Sequence, residues 1–168
     1  MSEYIRTTRE CSVNQLRPKL LHAIQIDFQQ HQLGDLETET LMCCETISEK
    51  KNTSKIISWL NGTVDTIIYT GMLLTSEWLV WALDGDRSGL LLNTANLKLI
   101  RAEFYSSRFP KDVGLGIVGY VGDAKERIRG YVGMGEGLVT QKFCEVVKQA
   151  ISKANPPTQK GFFGLRAG

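Results

Sequence analysis

The 168-residue sequence has few of the residue types that build metal sites and acid–base catalytic centres. It holds only two histidines, His22 and His31, and its four cysteines form no C-x-x-C pair. Structural zinc sites use closely spaced cysteines and histidines, so no zinc site is expected. Neither histidine has a serine or cysteine at a spacing that suggests a nucleophile and its base. We therefore predict that the protein is not an enzyme and has no cofactor, metal or catalytic residue.

Long apolar runs and an excess of one charge are also missing. No stretch approaches the roughly 18 apolar residues that cross a bilayer, and the first ten residues lack the apolar core of a signal peptide. Lysine and arginine total 20 against 18 acidic residues, so the net charge of +2 gives little attraction to a phosphate backbone. These absences predict a cytoplasmic protein with no transmembrane segment and no nucleic-acid partner.

Apolar residues at helical spacing mark two helices at opposite ends of the chain. The first runs from about Val13 to Phe28, with Gly34 as its stop, and gives a predicted helical extension over residues 1–35. His31 falls on its apolar face, which predicts a buried histidine with a partner. The second helix follows the glycine-rich residues 133–137 and ends at Asn155 before two prolines.

Between the helices the apolar period changes to two, which predicts seven strands. They cover residues 38–47, 66–74, 77–83, 89–92, 97–104, 114–121 and 126–132. Seven short antiparallel strands need a closed or nearly closed arrangement, because open edges invite aggregation. The predicted fold is mainly β, a partly open barrel over residues 36–154 capped by the C-terminal helix, followed by a flexible tail over residues 155–168.

The hairpin over residues 66–83 is apolar on both faces, so something must cover its outer surface. The N-terminal helix is the nearest candidate and self-association is the next. Ile26 and Leu33 form a second apolar stripe on that helix. We therefore predict an interface that uses Ile26, Leu33, Trp78 and Val80.

The sequence YTGMLLTSEWLVWA at residues 69–82 resembles a hairpin of the bacterial pleckstrin-homology-like (PH-like) family, which has a strand ending in leucine-threonine, a polar turn and an aromatic-rich strand. Trp78 stands where the family usually has a basic residue. The order of seven strands and one helix over residues 36–154 is similar too. The resemblance implies a seven-stranded PH-like barrel and a non-enzymatic module that binds proteins or assembles with itself.

Relatives in eukaryotes often bind phosphoinositide headgroups through the loop after the first strand. The corresponding loop holds Lys50, Lys51 and Lys55, and with Arg87 these are the predicted residues for an anionic lipid headgroup. The basic residue expected on the second strand is missing. A small-molecule carrier or small barrel enzyme is the other alternative, and it would need an internal cavity lined by convergent polar groups.

Two further features are left open. Cys43 and Cys44 on one strand would point to opposite faces, which predicts one packed and one outward thiol, with a vicinal redox role as the alternative. The tail contains Phe162, Phe163 and Leu165 among glycines and basic residues. It is either flexible or a short aromatic peptide that docks on a partner.

Overall fold

The computed structural model describes residues 4–51, 64–108 and 111–156. These form two antiparallel sheets, ordered β1-β2-β3-β4-β5 and β6-β7-β8, together with three helices. The elements are β1 (Tyr4–Glu10), α1 (Pro18–Gln30), α2 (Leu36–Glu39), β2 (Met42–Lys50), β3 (Ile67–Leu74), β4 (Trp78–Gly85), β5 (Gly89–Asn96), β6 (Ile100–Arg108), β7 (Lys111–Gly119), β8 (Ile128–Gly133) and α3 (Leu138–Ala154). The mainly β class and the C-terminal helix are confirmed. The described residues form eight strands rather than seven, and the two sheets are not closed into a barrel.

The additional strand is β1, which lies within the region predicted to be a helical extension. It pairs antiparallel with β2, from Tyr4 opposite Lys50 to Glu10 opposite Cys44. Its inward side chains are polar: the Thr8 hydroxyl bonds the Thr46 hydroxyl at 2.7 Å and also the Met134 carbonyl. Because Met134 directly follows β8, β1 joins the two sheets through side chains.

The helix α1 covers the outer face of the five-stranded sheet, as the apolar hairpin required. Leu20, Ile24 and Phe28 on the helix pack against residues that include Leu73 and Val80 on the sheet. Val80 has no exposed surface, so it contacts the helix and is out of reach of a partner while α1 stays in place.

A buried carboxylate anchors the start of α1. Glu45 on β2 is 3% exposed and accepts the backbone N–H of Arg17 at 2.9 Å. Its other oxygen accepts from the Arg9 guanidinium at 2.8 Å. Pro18 occupies the first helical position, where its missing N–H removes no helical hydrogen bond. The hydrogen bonds of Glu45 therefore determine where the helix leaves the sheet.

A second core fills the space between the two sheets and α3. Leu79 from the large sheet, Leu115 from the small sheet and Phe143 from α3 each have no exposed surface. Met72, Leu74 and Val147 belong to the same cluster. Large side chains from all three layers therefore occupy this space.

Several boundaries differ from the prediction because polar side chains end or start elements there. Asp35 accepts the Thr38 N–H at 2.9 Å and begins the short helix α2, so β2 starts at Met42 rather than at residue 38. β5 continues to Asn96, and a 3-10 turn over Leu97–Leu99 then leads into β6. The residues between β5 and Ile100 form the crossover from the large to the small sheet.

Candidate functional site

Three of the four predicted basic residues lie at the same end of the large sheet. Lys50 ends β2, Lys51 follows it, and Arg87 lies in the turn between β4 and β5. Asp65 accepts the backbone N–H groups of Arg87 and Ser88 at 2.7 and 2.8 Å and so organises that turn. Burial opposes the ionised form of Asp65, but these hydrogen bonds hold the pKa of its carboxyl below the usual value. The fourth predicted residue, Lys55, lies outside the described residues.

Carboxylates accompany the lysines at this end. Lys51 lines a small pocket of about 250 Å³ together with Arg6, Asp112 and Glu136. The two acidic residues balance the two cations on its wall, so the pocket has no excess of positive charge. The arrangement therefore gives no reason to prefer a headgroup-binding role for the lysines over an ordinary solvated loop.

The same wall contains a mostly buried ion pair that links the two sheets. Arg6 on β1 donates to both carboxylate oxygens of Asp112 on β7, at 3.0 and 2.7 Å, and to the Ser48 hydroxyl at 2.9 Å. Both charged side chains are mostly buried, with 13% and 16% of their surface exposed. Burial acts against the charged form of Asp112, but the bonded guanidinium keeps the pKa of its carboxyl below the usual value. Burial and the nearby Asp112 raise the pKa of Tyr131.

Two glycines make room for this ion pair. A Cβ atom added at Gly133 would overlap the Arg6 guanidinium, and one at Gly135 would overlap the Arg6 backbone. Gly135 also has φ of +81°, a conformation that favours glycine. The glycine-rich residues 133–137 therefore bring the end of β8 against β1, and no phosphate-binding role is needed to explain these two positions.

A larger groove surrounds the crossover between β5 and β6. It has three adjoining sections with volumes of about 660, 560 and 450 Å³. Lys98 lines the first two sections, Leu99 lines the second and third, and Asn96 lines the first and third. Residues of β5 and the crossover are therefore shared between neighbouring sections, which lie side by side around the crossover.

The third section lies between the end of α1 and the β4–β5 pair; we call it the apolar section after its large apolar side chains, although polar residues such as Asn93 and Asn96 also line it. It contains two of the predicted interface residues, Leu33 and Trp78, with Leu92, Leu99 and Tyr120. Leu99 is 54% exposed, which is high for a leucine beside other apolar side chains. Ile26 is also exposed on α1 but does not line this groove.

Acidic residues lie in the apolar section. Asp27 is buried; its Oδ2 accepts the Thr94 hydroxyl at 2.6 Å and its Oδ1 lies 3.4 Å from His31 Nε2. The prediction that His31 is buried is wrong: its side chain is 54% exposed, because it caps the C-terminus of α1. The carboxylate lies between the hydroxyl and the imidazole, so His31 is not placed to activate Thr94 as a nucleophile. Asp123 also lines this section.

The second section is basic. Lys98, Arg101 and Arg127 line it, and no carboxylate is among its lining residues in the described part of the chain. Sequence reasoning missed this cluster because Arg127 is distant in the chain from Lys98 and Arg101. The register of the small sheet places Arg101 opposite Val118, which lies opposite Arg129, and Arg127 precedes Arg129 by two residues. Lys98 lies in the 3-10 turn that leads into β6. The alternation over residues 126–132, which puts Arg127 and Arg129 on one face, was the available signal.

Neither neighbouring cysteine on β2 is the predicted outward thiol. Cys43 packs beneath α1 and Cys44 packs between the sheets, with 3% and 0% of their surfaces exposed. The two side chains do point to opposite faces, as the strand geometry requires. The prediction of an outward thiol at this pair is wrong, because α1 covers the face on which it relied.

No protein-family model, curated protein or solved structure matches this chain. Among the residues that the structure describes, no helix is long and apolar enough to cross a membrane.

Proposed function

We propose that the protein is a non-enzymatic interaction module that associates with a second copy of itself. The groove at the β5–β6 crossover is the docking site, and the C-terminal residues 157–168 of the second copy are its occupant. The observation that carries this proposal is the position of Pro156. Pro156 itself lines the first section of the groove, and Phe162, Phe163 and Leu165 follow within nine residues.

The chemistry of this segment complements that of the apolar section. Residues 157–168 combine three large apolar residues with Lys160 and Arg166 and contain no acidic residue. The apolar section offers Trp78 and Leu99 for the apolar side chains, and the exposed Asp123 for a basic one. Aromatic side chains seated in a desolvated groove commonly dominate the energy of an interface.

The filled core supports a binding surface rather than an internal ligand. A small-molecule carrier would need an internal cavity lined with converging polar groups. Leu79, Leu115 and Phe143 are instead fully buried in the cluster between the sheets and α3. The grooves that line the crossover are open to solvent, and an extended peptide fits such a shape.

We further propose that the domain is PH-like, and the arrangement of the strands supports this. β2–β5 are four of the five strands of the large antiparallel sheet, β6–β8 form the small sheet, and α3 follows them. This is the order that the resemblance of the hairpin implies. In this proposal, β1 extends the first PH-like sheet at its free edge and α1 covers its outer face.

Light scattering coupled to size exclusion tests the self-association. Phe162→Ser combined with Phe163→Ser removes the apolar residues of the segment, and Leu99→Asp places a charge in the groove. Leu138→Asp is the matched control, because Leu138 is 83% exposed and does not line the three groove sections. We expect an oligomer for the native chain and the control, and monomers for the other two variants.

A labelled peptide of residues 157–168 provides the second measurement. It should bind saturably to the Phe162→Ser/Phe163→Ser chain and lose affinity at least tenfold when Leu99→Asp is added. A native chain that is monomeric at every concentration would contradict the proposal. So would an oligomer whose mass the segment and groove variants leave unchanged.

The basic section favours one alternative function, which is binding of an anionic headgroup. Lys98, Arg101 and Arg127 supply three cations without a carboxylate on the same wall. This differs from the predicted lysine loop, where Asp112 and Glu136 balance the charge. Exposed cations of this kind attract anionic surfaces weakly and in a salt-dependent way.

A further inference from the structure

Cys11 and Cys43 face each other where β1 ends. The pairing of β1 with β2 has Glu10 opposite Cys44, and the next pair in the same register is Cys11 opposite Cys43. The Cys11 N–H donates to the Cys43 carbonyl at 3.1 Å, which shows that the pairing continues past the strand end. The two Sγ atoms are 3.8 Å apart.

This geometry suits a disulfide bond. Directly opposed, hydrogen-bonded residues in an antiparallel pair have Cα atoms about 5.5 Å apart. Disulfides accept Cα separations of about 4.4–6.8 Å and need an S–S distance of about 2.05 Å. Small rotations about the two Cα–Cβ bonds can therefore bring the sulfur atoms together without moving the strands.

The remaining cysteines are not placed to compete. Cys44 neighbours Cys43 in sequence but points into the core between the sheets. Cys144 on α3 is buried in that same core, and its Sγ lies 3.8 Å from the Gly114 carbonyl. All four cysteines are in the described residues, and Cys11 is the one that is not buried.

The two thiols of the pair have different surroundings. The hydrogen bond with Cys43 lowers the pKa of the Cys11 thiol, burial opposes this, and the charge of Arg9 adds to the lowering. Glu45 and Glu10 act in the opposite direction on the same thiol. The hydrogen bond with Cys11 and burial raise the pKa of Cys43. A partly exposed thiol of lowered pKa beside a second thiol is the usual arrangement of an oxidation-sensitive cysteine and its resolving partner.

We propose that Cys11 and Cys43 form a thiol oxidation site whose reagent is a hydroperoxide. The Cys11 thiolate attacks the distal peroxide oxygen, the O–O bond breaks, and Cys11 becomes a sulfenic acid. The departing oxygen takes up the proton that the Cys11 thiol released and leaves as water or an alcohol. Cys43 Sγ then attacks Cys11 Sγ, the S–O bond breaks, and the hydroxyl leaves as water with the Cys43 proton. The peroxide is reduced by two electrons and the two thiols are oxidised to one disulfide.

The bond would form a covalent loop over residues 11–43. That loop contains α1 and α2, and with them Asp27 and Leu33 of the groove described above. The end of β1 would then be fixed to β2 covalently rather than by hydrogen bonds alone. This inference does not depend on the proposed self-association, because the thiol pair is separate from the groove's lining residues.

Alkylation after oxidation tests the site in the full chain. The reduced protein is treated with a small excess of hydrogen peroxide, quenched, denatured and alkylated with iodoacetamide. We expect the number of alkylated cysteines to fall from four to two. Trypsin should then give one cross-linked species that joins residues 10–19 to residues 20–50, since the Arg17–Pro18 bond resists cleavage.

Three variants assign the sulfur atoms. Cys44→Ala and Cys144→Ala should keep the cross-link, whereas Cys11→Ser should abolish it; Cys11 is partly exposed, so its replacement leaves both cores filled. Four alkylated cysteines in the treated native chain would overturn the proposal. A cross-link that survives Cys11→Ser would overturn it too, as would a sulfinic acid at Cys11 without any disulfide.

Discussion

The ion pair between Arg6 and Asp112 allows a quantitative test of how the two sheets are joined. Asp112→Leu leaves the mostly buried guanidinium with the Ser48 hydroxyl as its remaining hydrogen-bond partner among the described contacts. Removing one partner of a buried pair costs about 3–5 kcal/mol, whereas replacing both by apolar residues is often neutral. Because 13% and 16% of the two side chains stay exposed, we expect a loss near the lower limit, about 3 kcal/mol.

A double-mutant cycle isolates this effect. Arg6→Met combined with Asp112→Leu should lose no more than about 1 kcal/mol, which gives a coupling energy of about 2 kcal/mol or more. Urea unfolding measures each free energy, and Asp112→Leu alone should lower Tm by about 6–12 °C in a chain of this size. The exposed pair of Lys142 and Glu10 is the control, with a coupling below about 1 kcal/mol. Equal losses for the single and double variants would refute the reasoning.

The pH dependence follows from the same pair. The folded-state pKa of Asp112 lies below its unfolded value, so its contribution to stability is present above the unfolded pKa of about 3.9 and is lost as pH falls below it. The native chain should therefore lose more stability than the Arg6→Met/Asp112→Leu variant between about pH 5 and pH 2. Parallel loss in both proteins would show that Asp112 does not carry this contribution.

Three further outcomes are expected. The oxidised chain with the disulfide proposed above should gain about 3–4 kcal/mol, since the loop it closes is about 33 residues long, and calorimetry with and without reductant measures the rise in Tm. Gly133→Ala should destabilise the chain by about 2 kcal/mol, because the new methyl group displaces the Arg6 guanidinium. The loss should be smaller when Arg6→Met is also present. Equal losses with Arg6 and with Met at this position would argue against that overlap. Sedimentation with vesicles that contain phosphatidylserine, at low salt, tests the headgroup alternative. Lys98→Glu combined with Arg101→Glu should abolish this sedimentation, whereas Lys51→Glu should not. The reverse result would place the lipid site at the lysine loop instead.

The elements that sequence could predict are those whose buried faces are apolar. α1 and α3 each present an apolar stripe to a core, and the β3–β4 hairpin is apolar on both faces because α1 covers one and α3 with the small sheet borders the other. The spacing of apolar residues along the sequence directly indicates such a buried face. The cover that the hairpin required was also correctly assigned to the N-terminal helix.

β1 escaped prediction because its polarity is inverted. Arg6 and Thr8 point inward to partners on β2, β7 and the segment after β8, while Ile5 points outward and is 55% exposed. A strand that uses ion pairs and hydroxyls in place of apolar contacts gives no period-two hydrophobic signal. Its partners, including Asp112, are distant in sequence, so local spacing could not reveal them.

The candidate groove was predictable only in part, for a similar reason. Leu33 and Trp78 were predicted interface residues because each lies on a second apolar face, one on the N-terminal helix and one on the hairpin, and a second apolar face needs its own contact. Lys98 and Arg101 are close in sequence, but Arg127 lies near them only because β6, β7 and β8 are neighbours in the small sheet. The thiol pair of Cys11 depended on β1, so missing the strand also meant missing the pair.

The joining of the sheets by β1 has a consequence for the order of folding. Arg6 meets Asp112 across 106 positions of sequence, and Thr8 meets Met134 across 126. Contacts of such long range are formed after local hairpins, because the chain loses conformational entropy on closing the intervening loop before the stabilising contact is made. Of the described strands, β1 would thus be among the last to reach its final place, although it precedes the others in the chain. Substitutions at Arg6 should then accelerate unfolding and leave the refolding rate almost unchanged.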